Sequence, residues 1–290
     1  MLALDLFFSR RAGKLSPREA LIRSALWILL AAGFAALTFF WQGRQSALEF
    51  VTGYVLELSL SVDNLFLFLV IFRYFAVPER HQHEVLFWGI LGAMLMRGVF
   101  IVAGVGLILR FHWIFYLFGA VLIVSGLRFA FAGEHKIDPA NNAAVKLLRR
   151  FFPLTDEYQD GKFFVRGWKG NPALFATPLL VALVVIEATD LLFAVDSIPA
   201  VLAVTLNAFI AYTSNIFAIL GLRSMYFAVS GLMRNFRFLH IGLALVLILI
   251  GIKMIASEYL AISTAMTLSA VALIVLASIL ASLALPESSA

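Results

Sequence analysis

A series of apolar runs, each long enough to cross a lipid bilayer, limits this chain more than any other feature. A membrane-spanning helix needs about 20 consecutive, mainly apolar residues. We count eight such runs, at residues 23–41, 50–72, 85–108, 112–132, 174–203, 208–232, 237–256 and 260–284. Hydrophobic residues make up 62% of the 290 residues and charged residues only 13%, which is too apolar for a soluble domain. The sequence therefore predicts an all-α, polytopic transmembrane bundle of about eight spans.

The basic residues between these runs predict the orientation of the chain. If the N-terminus is cytoplasmic, the cytoplasmic connections hold most of the Lys and Arg residues, as the positive-inside rule requires. We therefore expect both termini on the cytoplasmic side of the cell (inner or plasma) membrane. We attribute the net charge of +5 to this asymmetry and not to nucleic-acid binding. The long basic region before the first run favours a retained anchor over a cleaved signal peptide.

The sequence also contains an internal repeat. Val62-Asp63-Asn64 recurs as Val195-Asp196-Ser197, and Glu57 corresponds to Asp190 at the same offset. Each unit holds three spans, an odd number, so the second unit enters the membrane from the opposite side, as in many secondary transporters. We divide the chain into a cytoplasmic N-terminus with a peripheral first span (1–48), repeat unit 1 (49–132), a cytoplasmic loop (133–172), repeat unit 2 (173–257), and a peripheral last span with the C-terminal tail (258–290).

The loop 133–172 is the only sizeable segment outside the predicted membrane. Residues 141–152 have the apolar spacing of a short amphipathic helix, and residues 161–168 predict a small hairpin. A segment of about forty residues is too short for an independent soluble domain. We expect it to pack on the bundle or to regulate it.

Acidic residues inside the apolar runs are the main functional signal. Five of them lie in the second and fifth runs: Glu57, Asp63, Glu187, Asp190 and Asp196. An ionised side chain at the bilayer centre costs roughly 2.5–3.5 kcal/mol even on a lenient insertion scale, and such residues mark ion pathways. On a regular helix, two acids six residues apart point about 120° away from each other. Pro199 and the polar residues around Asp63 therefore favour a break in each helix, which would add backbone oxygens to a midplane site.

Charge counting favours a bound cation at this site. Arg97 and Arg223 are the intramembrane cations, and even full pairing with them leaves three of the five acids without a counter-ion. Protonation can neutralise one or two acids, and a divalent cation the rest. The chain has no cysteine, and its acidic segments have no histidine, so oxygen-binding ions such as Mn²⁺, Mg²⁺ or Ca²⁺ are favoured over Zn²⁺ or Cu⁺. Asn215 either completes the site or forms a hydrogen bond between helices.

Cation transport is the interpretation that these residues favour, without enzyme activity and without a permanently bound cofactor. Two other functions stay open. One is a membrane scaffold or assembly partner of the secretion or stress machinery, with the loop 133–172 as its docking surface. The other is an intramembrane aspartyl hydrolase, in which two acids share a proton. The residues alone do not choose between Mn²⁺, Ca²⁺ and Mg²⁺, and they leave the oligomeric state open.

Several segments resemble the signatures of one known family. The longest are Glu57-Leu-Ser-Leu-Ser-Val-Asp-Asn-Leu-Phe-Leu-Phe, Ile186-Glu-Ala-Thr-Asp-Leu-Leu-Phe-Ala-Val-Asp-Ser-Ile-Pro-Ala200 and Tyr212-Thr-Ser-Asn-Ile-Phe-Ala-Ile-Leu-Gly-Leu-Arg223. Two shorter ones are Phe87-Trp-Gly-Ile-Leu-Gly and Leu154-Thr-Asp-Glu-Tyr158. They resemble the TerC family of membrane proteins, especially its Alx branch, within the LysE-type transporter superfamily. The likeness covers residues 48–256, and no acidic position departs from the pattern.

The resemblance implies manganese efflux, a link to tellurium resistance and alkaline stress, and partners in the secretion machinery or among exported metalloproteins. It implies that the metal is handled by Glu57, Asp63, Glu187, Asp190 and Asp196. The supporting residues would be Asn64, Asn215, Ser197, Arg97 and Arg223. We therefore expect a membrane exporter of a divalent cation, with Mn²⁺ indicated by the resemblance, working in exchange for protons.

Overall fold

The computed structural model describes residues 17–132, 143–155, 157–159, 161–168, 171–229, 238–257, 259 and 262–284. The basic segment 1–16, which entered the orientation argument, lies outside the described residues. The backbones of Asp63 and Arg223 belong to helices, but their side chains also lie outside the described set. The predicted roles of these two side chains therefore stay predictions.

Helices make up most of the described chain. In chain order the elements are α1 (Pro17–Gln42), α2 (Arg44–Tyr74), α3 (Glu79–Arg110), α4 (Trp113–Ala132), the short α5 (Ala143–Phe151), β1 (Phe164–Trp168), β2 (Asn171–Ala176), α6 (Pro178–Leu202), α7 (Ala208–Val229), α8 (Leu239–Ile255) and α9 (Thr264–Ala284). Each of the eight predicted apolar runs overlaps one of the long helices. The all-α fold class is therefore confirmed.

Six helices of the described chain are long and apolar enough to cross a membrane: α1, α3, α4, α6, α7 and α9. Helix α8 is apolar but has only 17 residues, and α2 has 31 residues. The prediction of a multi-pass membrane protein is confirmed. The count of eight spans stays a prediction, in which α2 and α8 would supply the remaining two.

The contacts between helices relate two groups of three, α2 to α4 and α6 to α8. Helix α2 packs against α7 as α3 packs against α6, and α4 packs against α8. The more extensive of these contacts are preserved when α2, α3 and α4 are exchanged for α6, α7 and α8. Helix α1 lies against α2 and α7, and α9 against α2 and α8, so both lie outside this exchange.

Small residues let α4 and α8 approach backbone to backbone. A Cβ at Gly119 would lie 2.9 Å from the carbonyl oxygen of Gly251, and a Cβ at Gly126 would lie 2.7 Å from that of Ala244. The later residue of α4 thus meets the earlier residue of α8, so the two helices run antiparallel. Such close contact between small residues is the usual way in which helices associate in lipid.

The predicted breaks in the two acidic helices are wrong. Helix α2 continues past Glu57 and Asp63, and α6 continues past Asp190 and Asp196 to Leu202. Pro199 lies inside α6 and lacks the N–H that would bond the carbonyl of Val195, yet the helix continues to Leu202. Polar side chains in α2 bond within the helix as well, since the Ser59 hydroxyl donates to the Val55 carbonyl at 2.7 Å.

The fifth apolar run is shorter than predicted because its first residues form a strand. Residues Asn171–Ala176 are β2, which pairs antiparallel with β1, and α6 begins only at Pro178. A proline is well placed at a helix start, because the N–H that it lacks would have no partner inside the helix. The predicted hairpin is present, but only its first strand lies within residues 161–168, and its second strand is β2.

The loop between α4 and α6 packs on the bundle, as predicted. Val145 of α5 is buried in the same apolar cluster as Val185 of α6. The Tyr158 hydroxyl donates a hydrogen bond to the Phe75 carbonyl at the end of α2, at 2.5 Å. Burial raises the pKa of Tyr158 to about 12, so this hydroxyl keeps its proton at neutral pH. The loop is therefore tied to the end of the first acidic helix.

Candidate functional site

Arg97 of α3 is the centre of a buried polar network. Its side chain is only 1% exposed, and an arginine in such a place needs several acceptors. Nη1 donates to Glu57 Oε1, to Asn215 Oδ1 at 2.9 Å and to Ser197 Oγ at 3.2 Å. Nη2 donates to Asp190 Oδ1 at 3.3 Å. One guanidinium thus joins acceptors from α2, α6 and α7.

Glu57 has partners for both of its carboxylate oxygens. Besides the Arg97 bond, Oε1 accepts from the Ser61 hydroxyl at 3.0 Å, and Oε2 accepts from Asn215 Nδ2 at 3.1 Å. Ser61 stands four residues after Glu57, so the helical repeat places it on the same face of α2. The Glu57 carboxylate is completely buried. It is therefore held as a fixed anchor for the arginine.

Asp190 is only partly engaged. Its Oδ1 accepts from Arg97 and from Asn64 Nδ2, both at 3.3 Å. Its Oδ2 is buried and has no hydrogen-bond partner among the described residues, and the same holds for Asn64 Oδ1. Buried oxygens without a donor are costly, and they are the kind of atom that a hard cation binds.

Glu187 lies one helical turn before Asp190 on α6. Its Oε2 is also buried without a hydrogen-bond partner among the described residues. The carboxylate rests against Gly92 of α3, where a Cβ would lie 2.6 Å from Cδ and 2.7 Å from Oε2. That distance is too short for any side chain in the observed geometry. The carboxylate of Glu187 therefore occupies the space that the missing side chain of Gly92 leaves.

Asp196 lies apart from this network. It is half-buried and accepts a hydrogen bond from the Ser125 hydroxyl of α4 at 2.5 Å. Because α6 is an unbroken helix, Asp196 points about 120° away from Asp190, as the helical repeat requires. The structure thus separates two acids that the sequence analysis assigned to one site.

The predicted site residues are therefore brought together only in part. The structure gathers Glu57, Asp190, Arg97, Asn64, Ser197 and Asn215 in one network, with Glu187 beside it. In the part of the chain that the structure describes, no group of three or more His, Asp or Glu side chains is arranged as a metal site. The five-acid metal set stays a prediction.

Three contributing residues were missed by the sequence analysis: Ser61, Gly92 and Ser125. Ser61 was detectable, because it stands at helical spacing from Glu57. Gly92 ends the segment Phe87-Trp-Gly-Ile-Leu-Gly, so the family resemblance pointed to it without giving a reason. Nothing in the sequence marked Ser125, since its contact depends on how α4 and α6 pack.

Comparison with known proteins decides the family. The model of the "Integral membrane protein TerC family" matches residues 42–290. This chain belongs to the TerC family. The chain is 46% identical over 284 residues to the "Uncharacterized membrane protein STKORF319" of Myxococcus xanthus, covering 98% of this chain and 88% of that protein. No solved structure matches it.

Alx proteins are among the other relatives. This chain is 43% identical over 282 residues to the "Putative membrane-bound redox modulator Alx" of Escherichia coli strain K12, covering 93% of this chain and 87% of that protein. It is 36% identical over 283 residues to an "Uncharacterized membrane protein" of Rickettsia bellii, covering 97% of this chain and 93% of that protein. The resemblance to the TerC family and its Alx branch is therefore confirmed.

Proposed function

We propose that this TerC protein exports a divalent metal cation, with Mn²⁺ as the transported ion, across the cell membrane and in exchange for protons. One observation carries the proposal. In the described part of the chain, Arg97 is the cation that contacts the buried acids, and oxygens of Glu187, Asp190 and Asn64 have no donor there. If the acids are ionised, Glu57, Asp190 and Glu187 exceed the charge of Arg97 by two, which is the charge of one divalent ion.

The donor set suits a hard cation. Carboxylate and amide oxygens are the ligands that Mn²⁺, Mg²⁺ and Ca²⁺ accept, and a chain without cysteine offers no thiolate for a softer ion. Membership of the TerC family, with the manganese efflux that the resemblance implies, favours Mn²⁺ among the three. In the proposal, Asp63 and Asp196 handle the ion elsewhere along its path, because Asp196 points about 120° away from Asp190 on an unbroken helix and bonds to Ser125 of α4.

The position of the network supports a transport cycle. Glu57, Asn64 and Arg97 belong to the first three-helix unit, and Glu187 and Asp190 to the second, so the site lies between the units. The symmetric packing and the antiparallel α4 and α8 support inverted repeats, whose rocking would open the site alternately to each side. Carboxylates that release a metal tend to take up protons, which favours proton exchange.

The other candidate functions are less favoured by this geometry. Glu57 and Asp190 accept hydrogen bonds from one guanidinium, whereas an aspartyl hydrolase needs two acids that share a proton. The Alx relatives carry the words "redox modulator" in their name. A redox role of this chain would not use thiol exchange, because the chain has no cysteine.

Flux measurements on the purified protein in liposomes test the proposal. We expect Mn²⁺ flux that rises with a proton gradient and falls at least about tenfold in Asp190→Asn, a loss of about 1.4 kcal/mol or more. Glu84→Gln is a matched control, since this glutamate of α3 is half exposed at the helix start and lies outside the network. If the wild-type protein carried none of Mn²⁺, Ca²⁺ and Mg²⁺, the transport proposal would be wrong and the scaffold interpretation would take its place.

A further inference from the structure

We infer that Asp190 exchanges Arg97 for the transported cation, so that the Arg97–Asp190 ion pair is a latch between the two three-helix units that metal binding opens. The inference rests on the proposed function and adds a mechanism to it. Without the metal, Arg97 bridges Glu57 and Asp190. With the metal bound, Arg97 keeps Glu57, and Asp190 joins Glu187 on the ion.

The contacts of Arg97 are unequal in a way that permits this exchange. Nη1 has three acceptors, on Glu57, Asn215 and Ser197, whereas Nη2 has Asp190 as its only acceptor among the described residues. The Nη2 contact is also long, at 3.3 Å. The guanidinium is therefore anchored at the Glu57 end. Opening the Asp190 end removes one weak contact and leaves the anchor in place.

The acceptors are unequal in the same sense. Glu57 has donors on both oxygens, from Arg97, Ser61 and Asn215, so it has little capacity left for an ion. Among the described side chains, Asp190 Oδ2 and the Oδ1 of its neighbour Asn64 accept no hydrogen bond. The coordination that a cation would need is therefore available at Asp190 and not at Glu57.

Charge balance fits the exchanged state. Arg97 and Glu57 form a neutral pair, and a divalent cation with Asp190 and Glu187 forms a second neutral group. In the bridged state, by contrast, the single guanidinium serves two acids while Glu187 has no counter-ion within hydrogen-bond distance among the described residues. Because uncompensated charge is costly in a membrane interior, the arrival of the ion favours the exchange.

The exchange would also couple binding to movement. Arg97 lies on α3 of the first unit and Asp190 on α6 of the second, so their ion pair crosses the interface between the units. Losing it on metal binding removes one of several contacts between the units, because Arg97 Nη1 still donates to Ser197 and Asn215 of the second unit. The exchange therefore loosens the interface and does not by itself release it. A ligand shifts a conformational equilibrium only through such differential contacts.

The double variant Glu57→Gln with Arg97→Gln tests the exchange without changing the net charge of the site. If the bridged state holds about nine-tenths of the metal-free protein, removing it should tighten Mn²⁺ binding roughly tenfold. Binding is measured by titration of the purified protein with Mn²⁺, and turnover by liposome flux. We expect tighter binding together with slower turnover, because the ion loses the competitor that helps to release it. Arg110→Gln, at the exposed end of the same helix, is the control and should match wild type.

The outcomes separate the inference from the proposed function. Equal or weaker Mn²⁺ binding by the double variant, with wild-type flux intact, would overturn the exchange and leave transport standing. Absence of Mn²⁺ binding and flux in the wild type would overturn the function itself. Should the double variant fail to fold, Arg97→Lys serves instead, since one ammonium cannot bridge two acids as a planar guanidinium does. Tighter binding by this variant supports the exchange, and unchanged binding contradicts it.

Discussion

Replacing Gly92 with alanine should separate the function of this protein from its stability. A Cβ at this position would lie 2.6 Å from Cδ of the Glu187 carboxylate, where ordinary contact begins at 3.4 Å. Oε1 of the same carboxylate would lie closer still, so the carboxylate must move by about 1.2 Å or turn to another rotamer. It is the far end of a flexible side chain, so the backbone of α3 and α6 need not shift.

The expected effects on stability and on transport have opposite signs. Alanine in place of glycine inside a helix stabilises it by up to about 1 kcal/mol, so the variant should fold at least as well as wild type. Transport should fall, because displacing a functional group by about 1 Å can cost as much as a hundredfold in rate. We expect a loss of Mn²⁺ flux between roughly tenfold and a hundredfold.

Thermal unfolding in detergent and Mn²⁺ flux in liposomes measure the two effects separately. Gly106→Ala is the matched control, because this glycine lies on the same helix and a Cβ there would meet nothing within 4 Å. It should gain the same helix stability and keep wild-type flux. Wild-type flux in Gly92→Ala would refute the reasoning, since it would mean that the position of the Glu187 carboxylate does not matter for transport.

Three further substitutions test the packing and the network. Gly119→Ala should lower the unfolding free energy by about 1–3 kcal/mol, because the new methyl group meets the Gly251 backbone, and a lowered melting temperature in detergent would show it. Tyr158→Phe should lower the free energy of unfolding by about 1 kcal/mol, because it removes the hydrogen bond to Phe75. Burial raises the pKa of this tyrosine to about 12, so in unfolding measurements the stability advantage of wild type should hold below about pH 10 and disappear as the pH rises through about 12. Asn215→Ala should lower the free energy of unfolding by about 1–3 kcal/mol, because buried Arg97 and Glu57 each lose a hydrogen-bond partner. A melting temperature equal to that of wild type would contradict the network.

Helix positions were predictable because their signal is local. A run of about 20 apolar residues is a helix in a membrane wherever it stands, since no other segment satisfies its own backbone in lipid. The start of α6 was misplaced because Leu174, Phe175 and Ala176 are apolar as well, and the pairing of β2 with β1 decides that they form a strand. The predicted breaks were wrong because neither feature has to end a packed helix. A proline removes one helical hydrogen bond, and hydroxyl side chains can bond within the helix, as Ser59 does.

The membership of the site was only partly predictable. Arg97, Glu57 and Asp190 were predictable, since charged residues in apolar runs stand out. Charge counting paired Arg97 with one acid, whereas in the structure this arginine contacts two acids, Glu57 and Asp190. Which acids meet depends on the rotation of each helix about its axis, and this rotation is set by neighbouring helices and not by spacing along one chain segment.

The sequence by itself determined that this is a multi-pass membrane protein of the TerC family with acids buried among its helices. Those properties follow from hydropathy and from local motifs, which do not depend on how the helices pack. Only the tertiary structure decided that Asp190 joins Arg97 while Asp196 turns to Ser125, and that a glycine of α3 makes room for Glu187. The physical reason is that an unbroken helix points its residues in fixed directions, and the neighbouring helices determine what each of them meets.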